Sequence, residues 1–67
     1  MRLMSWVNSI KYALESEGAT VFFRHTVQLK GNRMAVQMSY DDTDGNSYDH
    51  IYYVSDKGIE DVGRTLR

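Results

Sequence analysis

The chain has 67 residues, a net charge of −1, no cysteine and no proline. That length supports one domain with a modest core, and the missing cysteines exclude a disulfide framework and a cysteine-ligated zinc site. No apolar run approaches the roughly 18 residues of a membrane span, and MRLMSWVNSIKYALE at the start lacks the continuous apolar stretch of a signal peptide. The expectation is a single cytoplasmic domain over residues 1–67.

The first segment runs from about Met4 to Glu17. Leu3, Trp6, Val7, Ile10, Ala13 and Leu14 recur at three- and four-residue spacing, the apolar stripe of an amphipathic helix. Ser5 has the chemistry of an N-cap, Gly18 that of a C′ residue, and Lys11 and Glu15 are placed for a weak i,i+4 pair.

From Thr20 the apolar period changes to two. TVFFRHTVQL, RMAVQMSY and YDHIYYVS read as three strands joined at Gly31-Asn32 and at Asp44-Gly45, both hairpin signals. Two-residue turns at those dipeptides pair Leu29 with Met34, Val27 with Val36, His25 with Met38 and Phe23 with Tyr40. On the other side they pair Met38 with Ile51 and Val36 with Tyr53. Both registers place Met34, Val36, Met38 and Tyr40 on one face, and slipping either by one residue would turn a whole strand over.

The last segment, from Asp56, spaces Ile59, Val62 and Leu66 for a short helix ending in Arg64 and Arg67, with Gly58 and Gly63 against it. The expected fold is therefore α+β in the order αβββα: a three-stranded antiparallel meander with both helices packed on one face. The covered face would carry Phe23, Val27, Leu29, Met34, Val36, Met38, Ile51 and Tyr53. His25 would join it.

Two surfaces then invite a functional reading. The loop SYDDTDGNSYDH gathers Asp41, Asp42, Asp44 and Asp49. An EF-hand alignment with Gly45 at the sixth position leaves Tyr40 at the first and Ile51 at the twelfth, where carboxylates are required, so calcium binding of that kind is not expected. Beyond the one or two aspartates that a turn uses, the rest would present negative charge to a basic protein surface. The second surface is the uncovered side of the sheet, expected to carry Arg24, Thr26, Gln28, Ala35, Gln37, Ser39, Tyr48, His50, Tyr52 and Val54, a tyrosine-bearing mixture suited to recognition. An edge strand also offers a route to a homodimer.

Charge is unevenly spread: +3 over residues 1–40, −6 over 41–61, and +2 from Arg64 and Arg67. The two histidines fall on opposite faces and cannot share a metal ion, and Asp49 and His50, being adjacent on a strand, point apart. No nucleophile elbow, phosphate-cradling loop or zinc-ligand cluster occurs, so neither a cofactor nor an enzymatic activity is expected.

The αβββα order resembles, as architecture, the double-stranded RNA-binding domain and the small HicA-type messenger-RNA-cleaving toxins. The former is similar in element order, but the start of its second helix is lysine-rich, where this chain reads DKGIEDVG. The latter have a glycine-serine-histidine run at a strand that reads FFRHTVQL here. The primary expectation is a non-catalytic protein-binding regulator or inhibitor, of the kind carried by bacteria and their phages, acting through the acidic loop (Asp41, Asp42, Asp44, Asp49) and the sheet face (Arg24, Gln37, Tyr48, His50, Tyr52). The alternative is nucleic-acid binding by Arg24, Lys30, Arg33, Arg64 and Arg67. A HicA-like ribonuclease using His25 or His50 stands a distant third.

Overall fold

A computed structural model describes residues 3–67; Arg2, counted above in the basic half, lies outside them. The element order is α1 (Leu3–Ser16), β1 (Thr20–Leu29), β2 (Arg33–Asp41), β3 (Ser47–Ser55) and β4 (Gly58–Leu66). The four strands form one antiparallel sheet in the order β1-β2-β3-β4. This corrects the expected αβββα meander: over the described residues the fold is α+β with one helix and four strands.

The first helix follows its stripe. Leu3, Val7, Ile10 and Leu14 are buried against the sheet, and Trp6 packs beside them. It ends in a Schellman motif, with the Ala19 amide donating to the Leu14 carbonyl (3.1 Å) and the Gly18 amide to that of Glu15 (3.0 Å). Gly18 has φ +95°, and a Cβ there would meet Thr43 Cγ2 at 2.6 Å. Ser5 is not the N-cap, because the helix already includes Leu3; the Ser5 carbonyl instead accepts from Ser9 Oγ at 2.9 Å. Lys11 and Glu15 approach to 4.0 Å.

The segment expected as a second helix is β4, paired residue by residue with β3. Ile59, Val62 and Thr65 are β-branched and suit an extended chain. Gly63 takes φ +134° beside a bulge that leaves Val62 without its own partner, since Tyr52 faces Asp61 and Ile51 faces Gly63. That extra residue turns the period of two into spacings that imitate a helix.

Both hairpin registers differ from the two-residue expectation by one residue. The first loop has three residues, Lys30, Gly31 and Asn32, so Leu29 faces Arg33 and Thr26 faces Val36; Asn32 itself takes φ +54°, a left-handed conformation that asparagine tolerates. The second loop spans 42–46, so Asp41 faces Ser47, Met38 faces His50 and Val36 faces Tyr52. Asp42 holds this wider loop closed: its Oδ1 accepts from the amides of Asp44 and Asn46, both at 2.9 Å, and its own amide donates to the Asn46 carbonyl at 2.9 Å.

The consequence is an exchange of faces. Met34, Val36, Met38 and Tyr40 lie under α1 as expected, with Val36, Met38 and Tyr40 fully buried. Their neighbours there are Tyr48, His50, Tyr52 and Val54 from β3 and Val21, Arg24, Thr26 and Gln28 from β1. Phe23, His25, Val27, Leu29, Ile51 and Tyr53 instead occupy the helix-free side. One apolar element cannot cover both faces, so the second face is left open.

Candidate functional site

The acidic loop is largely occupied by its own architecture. Asp42 serves the loop amides as described, and the Asn46 amide, reinforced by that of Asp44, holds its carboxyl below the ordinary value. Asp41 accepts from Ser47 Oγ. Asp49 is not in the loop but on β3, where it accepts from Ser39 Oγ at 2.6 Å and lies 3.7 Å from Arg67 Nε. Asp44 alone makes no side-chain hydrogen bond or ion pair among the described residues.

The expected recognition face is divided between two sides. Gln37 sits on the helix-free side, where its Nε2 donates to Ser39 Oγ at 3.3 Å. Arg24, Tyr48, His50 and Tyr52 sit on the helix side, and Arg24 Nη1 donates to Asn8 Oδ1 of α1 at 3.3 Å. His50 and Tyr52 are buried. The register shift alone causes this correction. His25 is corrected in the opposite sense and is exposed, stacked on Phe23 at 6.3 Å between ring centroids.

His50 belongs to a hydrogen-bonded chain that the sequence reading missed. Its Nδ1 lies 2.9 Å from Tyr40 Oη and its Nε2 2.8 Å from Asp61 Oδ1, while Arg64 Nη1 donates to Tyr40 Oη at 3.3 Å. The Asp61 carboxylate can only accept, so Nε2 carries a hydrogen. Tyr40 then donates to Nδ1 while accepting from Arg64, and a neutral imidazole satisfies every contact. His50 also stacks on Tyr52 (4.2 Å, 13° between planes), and the Arg64 guanidinium lies 3.9 Å over the Tyr48 ring. Burial pushes the Tyr52 hydroxyl upward, so it stays neutral.

This chain floors a half-open groove of about 740 Å³ between α1 and β4, walled by Ile10, Ala13, Leu14 and Ile59. It exists because α1 packs across β1, β2 and β3, so β4 projects beyond the helix. Chemically it is a positioned aromatic and polar surface: both ring nitrogens of His50 are committed, and Ser9, on the wall, already donates to a helix carbonyl. Glu17 and Asp61 add two carboxylates to its lining, the latter bonded to His50.

The helix-free face is the third feature. Phe22, Phe23 and Val27 are exposed by 50%, 49% and 47%, and Ala35, Ile51 and Tyr53 lie half-buried between them and β4. His25 and Gln37 share this face with them, so it mixes aromatic, aliphatic and polar groups. At its rim, Arg33 lies 5.5 Å from the Tyr53 ring and Arg67 5.6 Å from the Phe22 ring.

The basic residues do not converge. Arg24 is tied to α1, Arg64 turns into the groove and Arg67 is beside Asp49, which leaves Lys30 and Arg33 at one hairpin end. Among the described residues, no group of three His, Cys, Asp or Glu side chains could hold a metal ion. No helix there is long and apolar enough to cross a membrane. No family model, curated protein or solved structure matches this chain.

Proposed function

We propose that this chain is a non-catalytic, cytoplasmic protein-binding module, a small regulator or inhibitor, whose contact surface is the helix-free face of its sheet. The observation that carries this reading is the half-exposure of Phe22, Phe23 and Val27 on one face. Buried at an interface, side chains of this kind each contribute roughly 1–2 kcal/mol from area alone, and aromatic anchors dominate such contacts. Asp44 and the net negative charge of the loop end favour a partner whose rim is basic, by accelerating encounter more than by adding affinity. Gln37 retains its expected role on this face, and Phe23 and His25 take the place of Tyr48, His50 and Tyr52.

The test is affinity capture from the native host with three baits: the natural chain, a Phe23→Asp/Val27→Asp variant, and an Asp41→Lys/Asp44→Lys variant. A partner held by the natural chain, lost by the face variant and still held, less well, by the loop variant supports the proposal. The same proteins recovered by the natural chain and the face variant would sink it.

A further inference from the structure

We propose that two copies of this chain pair antiparallel along the outer edge of β4, with a two-fold axis between Val62 and Gly63. β4 is an edge strand hydrogen-bonded only to β3, and every residue from Ile59 to Leu66 is exposed, Ile59 by 41%, Val62 by 50% and Leu66 by 60%. An uncovered edge of nine residues is a template for another strand.

The partner is specified by the strand's own pattern. Its pairing with Val54, Tyr52, His50 and Tyr48 puts Ile59, Asp61, Arg64 and Leu66 on the helix side. Antiparallel pairing about the stated axis sets Ile59 opposite Leu66 of the second copy and Asp61 opposite its Arg64, and symmetry repeats both pairs. Apolar thus meets apolar and acid meets base at all four positions, the combinations that stabilise a sheet. A parallel arrangement would set Asp61 beside Asp61 and Arg64 beside Arg64.

The bulge makes this register available. In a regular strand residues 61 and 64 point to opposite faces, and two identical strands centred between residues would oppose side chains from different faces. The extra residue at Val62 restores the match, so Asp61 and Arg64 share a face. Asp61 keeps a side chain that is 62% exposed while it holds His50, so a second donor can reach it.

Sedimentation of the natural chain at rising concentration should show a monomer–dimer equilibrium that weakens with salt. Arg64→Glu should raise the dissociation constant about tenfold or more, and Asp61→Arg combined with Arg64→Glu should recover it. Because Arg64 also contacts Tyr40, a second variant avoids that network. Glu60→Cys/Thr65→Cys places its thiols opposite each other only between copies, since within one strand they are roughly 16 Å apart, beyond the reach of a disulfide. Oxidation should give a covalent dimer, and neither single-cysteine variant should. A natural chain that stays monomeric at millimolar concentration overturns the inference. So does a dimer abolished by Phe23→Asp/Val27→Asp but kept by Arg64→Glu, or double- and single-cysteine variants that cross-link alike. The partner capture described above is read independently of all three.

Discussion

Replacing His50 by alanine separates the observed register from the one that two-residue hairpins would give. His50 is 8% exposed, bonded to Tyr40 and Asp61, and stacked on Tyr52. Each hydrogen bond contributes roughly 0.5–1.5 kcal/mol and the ring contact about 0.5–1.5 kcal/mol. The variant should therefore lose about 2–4 kcal/mol, a large share of the roughly 3–10 kcal/mol expected for a domain of this length. His25→Ala is the internal control, because His25 is exposed on the open face and should cost no more than about 0.5 kcal/mol. Urea unfolding followed by the fluorescence of Trp6, the one tryptophan, which packs against the core, measures both. A His25→Ala loss exceeding that of His50→Ala would refute the register and the division of faces that follows from it.

Met38→Ala, at a side chain with no exposure, should cost about 2–5 kcal/mol by the same assay. Gly18→Ala should cost about 1–2 kcal/mol, from the positive φ and the approach to Thr43 Cγ2, and Thr43→Ser, which removes that methyl, should recover part of it. Asp42 has a folded-state value lower than its ordinary one of 3.8, so its stabilising contribution is complete above about pH 5 and is lost as pH falls through the lowered value. Asp42→Ala should accordingly flatten the acid limb of a stability–pH profile, while Asp42→Asn, whose amide oxygen can still accept from the Asp44 and Asn46 amides, should keep the loop at neutral pH. Phe23→Asp/Val27→Asp should change stability by less than about 1 kcal/mol, since both side chains are already half in water, and urea midpoints would show otherwise.

Much of this architecture can be read from the residues. The stripe of Leu3, Val7, Ile10 and Leu14 specifies α1, Gly18 ends it, and the alternation of Met34, Val36, Met38 and Tyr40 identifies the buried side of β2. The dipeptides Gly31-Asn32 and Asp44-Gly45 mark where the chain turns, but not whether a turn takes two, three or five residues. A hydrophobic pattern normally decides that question, because one register would expose the wrong side chains. Here β3 is apolar on both sides, with Ile51 and Tyr53 on one and Tyr48, Tyr52 and Val54 on the other, whereas β1 turns Phe23, Val27 and Leu29 to the open side and Val21, Arg24, Thr26 and Gln28 to the helix side. The pattern of β3 therefore favours neither register, and that of β1 favours the one the fold does not adopt.

β4 was hidden for a related reason. Its helix-side positions are 59, 61, 64 and 66, but its apolar residues Ile59, Val62 and Leu66 include the bulged Val62 and so fall three and four apart, a spacing that reads as helical. Gly63 beside β-branched Val62 was the available signal of a bulge. The Tyr40–His50–Asp61–Arg64 chain could not be found without the fourth strand, because Asp61 and Arg64 reach His50 and Tyr40 only from β4. The open apolar face is the same misreading seen from the other side. Phe23 and Val27 read as core residues because nothing in their local sequence distinguishes a side chain covered by a helix from one left in solvent.

Hydroxyl-radical footprinting of the free chain at low concentration, read residue by residue by mass spectrometry, compares the two sides of the sheet in one experiment. Phe22 and Phe23 should label rapidly while Tyr40 and Tyr52 are protected. Rapid labelling of Tyr52 with protection of both phenylalanines would contradict the claim that the helix-free face is the one offered to a partner.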